Sequence, residues 1–181
     1  MKFLPLFSLP TLSLSAATVT QWNFNSLTND ASFTTGVASP STGIGTASLL
    51  TTTAIFANGS GNTGSSDSNT TDNSAWGTSA YPTATSGDLT AGVQFLVDTT
   101  GYSDIIVTYD LRRSNSSSRY EAVQYTLNGS TWTTASFFTA AAGNTWFNGR
   151  SVSLSGIAQA ANNQNSGLRI ALAVRHFLVV A

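Results

Sequence analysis

Leu89, Ala91, Val93, Phe95 and Val97 alternate with Thr90, Gly92, Gln94, Leu96 and Asp98. A period of two over this length marks a strand with one face turned to a core. Beyond the turn residues Thr99, Thr100, Gly101 and Tyr102, the pattern resumes with Ile105, Val107, Tyr109 and Leu111. A third run, 119–127, sets Val123, Tyr125 and Leu127 on one side. Asn128-Gly129 separates it from 131–138, and Asn-Gly between two β-rich runs predicts a hairpin. Weaker strand patterns occupy 19–24, 47–57, 146–154 and 168–174, and 155–163 suits one or two helical turns. Residues 58–88 are mostly Gly, Ser, Thr and Asn and read as a long loop. Its first part, to Asn73, offers little to anchor it, whereas Trp76, Tyr81 and Pro82 should dock its second part on the domain. Many short strands, Gly- and Asn-rich turns and almost no helix predict an all-β fold, an antiparallel β-sandwich of jelly-roll type.

A length of 181 residues suits one domain with a real core. Charged residues are only 8% of the chain, against about 25% in ordinary domains, so hydroxyls and amides must solvate the surface. The net charge of −1 and the lack of any basic stretch argue against nucleic acid as a partner. No apolar run reaches the ~20 residues of a membrane span. The absence of cysteine removes disulfides, thiolate metal sites and a Cys nucleophile together. At the N-terminus Lys2 precedes a short apolar run that ends in Ser15-Ala16-Ala17. Small residues at those positions predict a signal peptide over 1–17, a mature domain over 18–181, and a secreted, extracellular or cell-surface location. Pro5 and Pro10 run against a helical leader.

The few charges gather in one place. Asp104, Asp110, Arg112, Arg113, Arg119 and Glu121 fall within eighteen residues. If 105–112 and 119–127 pair as a hairpin, two registers compete. Setting Asp110 against Arg119, or Arg112 against Glu121, joins opposite charges. Setting Val107 against Val123 and Ile105 against Tyr125 joins the apolar faces. Each buried aliphatic side chain is worth about 1.5–3 kcal/mol, and an exposed ion pair about 0–1 kcal/mol, so the apolar register is expected. Asp110 and Arg112 then face outward, Arg119 and Glu121 lie at the rim of the inner face, and the cluster serves mainly as corner salt bridges and loop caps. Its alternative use is as a ligand platform, with Arg112, Arg119 and Tyr120 offering planar forks and an aromatic face to sugar hydroxyls. Trp76 and Tyr81 are further ligand-contact candidates, as aromatics on a polar loop; their competing role is to close one end of the sandwich. Trp22, Trp132 and Trp146 are assigned to the core.

Catalytic chemistry has little footing. His176 is the sole histidine, no Gly-x-Ser-x-Gly occurs, and Glu121 is the sole glutamate, without an obvious paired acid. Asp67 and Asp72 lack EF-hand spacing. No cofactor fingerprint is present, and a structural Ca²⁺ held by backbone carbonyls and an Asp would leave no motif to read.

An ordered set of short motifs carries a resemblance: Gln21-Trp22-Asn23-Phe24-Asn25, Pro40 to Leu49, Ala75-Trp76 with Tyr81-Pro82, Ala91 to Phe95, Tyr109-Asp110-Leu111-Arg112, Ser118-Arg119-Tyr120, and Gln124 to Trp132. Together, over Trp22 to Ile170, they resemble exported bacterial β-sandwich modules of PEP-CTERM-type surface-sorted proteins, also found beside extracellular nuclease or phosphoesterase domains. The resemblance implies a fold and an extracellular address, with no defined activity. Members of that group continue past the equivalent of Ile170 with a loop and a last strand bearing Trp and Asp. This chain ends instead in Ala171 to Ala181, so a truncated sandwich with an open edge is expected. The functional expectation is a non-catalytic exported module for surface attachment or for binding an extracellular polysaccharide or cell-surface polymer. The alternative is an accessory domain severed from a secreted nuclease or other hydrolase.

Overall fold

The computed structural model describes residues 16–61, 63–83 and 86–173. Among these residues nine strands follow in order: β1 (Gly45–Leu50), β2 (Thr53–Asn58), β3 (Ser74–Ser79), β4 (Gly92–Val97), β5 (Ile106–Arg112), β6 (Tyr120–Thr126), β7 (Trp132–Thr139), β8 (Trp146–Ser153) and β9 (Ser166–Ala173). The fold is an all-β, antiparallel sandwich. One layer is a five-stranded sheet in the order β1-β4-β9-β6-β7, and the other is built from the pairs β2-β3 and β5-β8. A single 3₁₀ turn, Ala158–Ala160, sits in the segment where one or two helical turns were expected.

The register decides which side chains meet. Phe95, Leu168 and Tyr125 form one row across β4, β9 and β6, and Val93, Ile170 and Val123 form the next. These rows face the second layer. Val123 and Leu168 are buried there with Val152, Leu154 and Ala160, and Ile105, Val107, Tyr109 and Phe138 pack around them. The N-terminal segment covers the β4 end of the same face. Trp22 and Phe24 lie 4.9 and 6.5 Å from the Phe95 ring, and Phe24 stacks on Trp76 of β3 at 5.4 Å.

The hairpin expected between 105–112 and 119–127 is not formed. β5 pairs with β8, while β6 pairs with β7 and β9. The reason lies in β6, where Glu121 to Gln124 are buried on both faces. Such a strand is central and needs a neighbour on each edge. Paired side by side, β5 and β6 would share one layer and leave both apolar faces wanting cover. In opposite layers, Val107 and Val123 join one core cluster across the sandwich instead of along a ladder. The connecting residues are held by Arg113, whose Nε donates to the Ala140 carbonyl at 2.8 Å and whose Nη1 donates to that of Ser114 at 3.0 Å.

Other expectations divide. The Asn128-Gly129 turn joins β6 to β7, with Gly129 at φ 75°. The segment 47–57 is two strands, broken at Thr51 with φ 49°. Residues 19–24 make only the bridge Gln21 to Thr42. The segment 58–88 contains β3, and its first part is anchored: Gly59 N–H donates to the Asn73 carbonyl at 2.8 Å, and Trp146 Nε1 donates to that of Gly61 at 2.7 Å. Trp132 and Trp146 are half-buried and stand outside the central cluster. The leader falls mostly on residues 1–15, and the expected open edge concerns residues after Ala173; both lie outside the described residues, as does His176.

Candidate functional site

Three of the five candidate ligand residues meet in one cleft. Tyr81 follows β3, its half-buried ring fixed by a 2.6 Å hydrogen bond between its hydroxyl and Thr78 Oγ1. Burial raises its phenol above the ordinary tyrosine range, so it is a neutral hydroxyl at physiological pH. Tyr120 opens β6, opposite Thr139 on β7 and Ala173 on β9. Arg119 precedes it, with its guanidinium carbon 5.9 Å from the Tyr120 ring centroid. The Arg119 carbonyl accepts the Ala140 N–H at 2.7 Å, which fixes the backbone from which the exposed side chain extends. Ser118 Oγ donates to the Ala173 carbonyl at 2.7 Å and accepts the Tyr120 N–H at 3.1 Å. Two elements distant in sequence are thereby clamped into one wall.

The cleft measures about 410 Å³ and is lined by Tyr81, Arg119 and Tyr120, with Pro82, Ala91, Leu172 and Ala173 as its apolar part. Hydroxyls come from Thr83, Ser86, Ser116, Ser117 and Ser118. This combination of apolar surface, aromatic rings, one cationic fork and many neutral hydrogen-bonding groups suits a hydroxylated ligand of one or two rings.

The other two candidates are elsewhere. Trp76 lies within β3, opposite Phe56 and stacked on Phe24. Its half-buried ring joins an aromatic row with Phe24 and Phe95 and does not line the cleft. Arg112 ends β5 opposite Trp146, is exposed, and does not line the cleft.

Glu121 corrects a second expectation. It is 1% exposed and lies in the interior, not at a rim. The Tyr109 hydroxyl donates to its Oε1 at 2.8 Å, and Arg150 Nε lies 2.9 Å from the same oxygen. That second contact is an ion pair without hydrogen-bond alignment, since Arg150 Nε has no hydrogen-bonding partner. Arg150 is also wedged between aromatic faces, 4.7 Å from the Phe138 centroid and 4.9 Å from that of Phe147. Burial raises the Glu121 carboxyl above the usual carboxylate range, opposed by the Tyr109 hydrogen bond and the Arg150 charge. Burial, and then the Glu121 charge, raise the Tyr109 phenol. A group this enclosed bridges β5, β6 and β8; it is not presented to a substrate.

One polar constellation had no sequence signal. Gln94, Arg169 and Gln124 form a row across β4, β9 and β6 on the face turned away from the second layer. Arg169 Nε and Nη2 donate to Gln124 Oε1 at 2.8 and 2.6 Å, and its guanidinium lies 4.7 Å from the Trp132 ring centroid. Partial burial lowers the Arg169 pKa. Tyr120 shares this face, two residues from Ala122 and four from Gln124 along β6. Sequence reading assigned Trp132 to the core because its outward direction follows only from the register.

Among the described residues no three His, Cys, Asp or Glu side chains gather as a metal centre, and no helix is long and apolar enough to cross a membrane. No family model matches the chain, and neither the curated proteins nor the solved structures include a match to it.

Proposed function

We propose that the chain is a non-catalytic exported module that binds an extracellular polysaccharide or cell-surface polymer, and that the Tyr81–Arg119–Tyr120 cleft is where the polymer docks. The observation that carries this reading is the convergence of those three side chains, from two segments distant in sequence, on a cleft lined by hydroxyl-bearing residues. Polymers of neutral sugars offer ring faces to aromatics and hydroxyls to Arg and Ser, and need no metal or nucleophile to be held. The chain's low charge fits a neutral or weakly acidic polymer better than a strongly ionic one. The leader pattern and the resemblance to surface-sorted modules support the extracellular setting.

The test is binding of the full chain to a glycan and polysaccharide panel, beside Arg119→Ala, Tyr120→Ala, Arg112→Ala and Trp76→Phe. Binding that weakens about tenfold in the first two variants and stays within twofold in the others supports the cleft. Binding lost instead in Arg112→Ala, or no binding to any member of the panel, contradicts it.

A further inference from the structure

Among the described residues, Asp72 carries the buried carboxylate that the fold leaves without a hydrogen-bond partner. It stands two residues before β3, beside the buried Asn73 and Ser74, and is 0% exposed. Neither of its carboxylate oxygens has a hydrogen-bond partner. Its backbone N–H is satisfied by Asn69 Oδ1 at 3.0 Å. Buried carboxylates are almost always paired or bound to a metal, because an isolated one carries a heavy desolvation penalty. Residues 58–73 contain no Lys, Arg or His, and beyond Lys2 the chain has no lysine at all. No basic side chain of the segment itself can supply the missing charge.

The segment around it is rich in oxygen-bearing side chains. Asn25, 5% exposed, bridges two parts of the segment. Its Oδ1 accepts the Ser74 N–H at 2.9 Å, and its Nδ2 donates to Asp67 Oδ2 at 2.9 Å. Asn25 thereby ties the second carboxylate of the segment to the strand start beside Asp72. A buried carboxylate with no basic partner, in a segment of Asp, Asn, Ser and Thr without His, Cys, Lys or Arg, has the chemistry that a hard cation satisfies. The surrounding segment also joins the two halves of the second layer: Ser66 donates its N–H to Asp110 Oδ2 of β5 at 2.6 Å, and Asn148 Nδ2 of β8 donates to the Gly64 carbonyl at 3.1 Å.

We propose that Asp72, with Asp67, binds a divalent hard cation of the Ca²⁺ class, which fixes the segment before β3 and so ties β2-β3 to β5-β8. The rival fate of this carboxylate is a hydrogen bond from a buried water, which does not respond to added metal.

The full chain, stripped with EGTA and dialysed, is titrated with CaCl₂ alone by calorimetry and melted with and without the ion. Expected are one Ca²⁺ per chain and a melting rise of about 5–10 °C at a hundredfold excess over Kd, with a smaller response to Mg²⁺. Asp67→Asn should weaken Ca²⁺ binding at least tenfold, and Asp72→Asn should remove it. Should Asp72→Asn fail to fold, wild type and Asp67→Asn still decide. A wild-type protein that shows neither heat nor a melting shift overturns the proposal. So does Ca²⁺ binding unchanged in Asp67→Asn and, where it folds, Asp72→Asn, which would put the ion elsewhere.

Discussion

Glu121 shows how much a single side chain can hide from its own sequence. Read along the chain, it is the only glutamate, next to the strand start that also carries Arg119 and Tyr120. In the fold it is a buried carboxyl whose partners, Tyr109 and Arg150, come from the opposite layer. No spacing rule connects those residues, since the pairing arises from layer on layer. The consequence for pH follows from the direction of its shift. Burial holds the folded-state carboxyl above its unfolded value, so the folded protein keeps the proton over an interval in which the unfolded chain has released it. Stability from this group is therefore fully present below the ordinary glutamate range and declines as pH rises through the raised value. Arg150→Met removes the cation that favours the ionised form and should cost about 3–5 kcal/mol at pH 7. The loss should shrink near pH 4, where Glu121 is neutral. Urea melts of both proteins at the two pH values check this, and an equal loss at both would contradict it.

At the scale of elements, local signals were readable and pairings were not. The alternation at 89–97 foretold β4, and Asn128-Gly129 foretold the β6–β7 turn. Gly129 holds φ 75°, and a Cβ there would meet nothing within 4 Å. Gly129→Ala should therefore cost only the backbone penalty, about 1–2 kcal/mol, measurable as a lowered urea midpoint with an unchanged m-value. β3 was concealed because Ser74, Ala75, Gly77 and Thr78 look like the loop residues around them. Its strand character comes from β2, where Phe56 faces Trp76 and Ala57 faces Ala75. Trp76→Ala should accordingly destabilise the fold by roughly 2–4 kcal/mol, less than a fully buried Trp would, while leaving polysaccharide affinity unchanged at temperatures where the protein is folded. A loss of affinity without a loss of stability would return Trp76 to the binding site. The charged stretch 104–121 misled for a related reason. Two consecutive strands with matching apolar faces suggest a hairpin, yet β6 is buried on both faces and takes β7 and β9 as neighbours.

For the whole molecule, the all-β sandwich was legible because period-two runs and turn residues recur along most of the chain. The candidate site was legible only in its parts. Arg119 and Tyr120 were grouped with Arg112, and Tyr81 with Trp76; the fold regroups them where the β5–β6 connection and the segment after β3 meet β9. Arg169, Gln124 and Trp132, on the outward face that also carries Tyr120, became visible only through the register. We propose that polymer recognition belongs to that cleft. The most direct measurement is an NMR titration of the isotope-labelled full chain with the best-binding polysaccharide fragment from the panel. Shifts concentrated at Tyr81–Thr83, Ser116–Tyr120 and Leu172–Ala173 are the predicted result. Shifts centred on Trp76 or Arg112, with the cleft resonances unmoved, would contradict it.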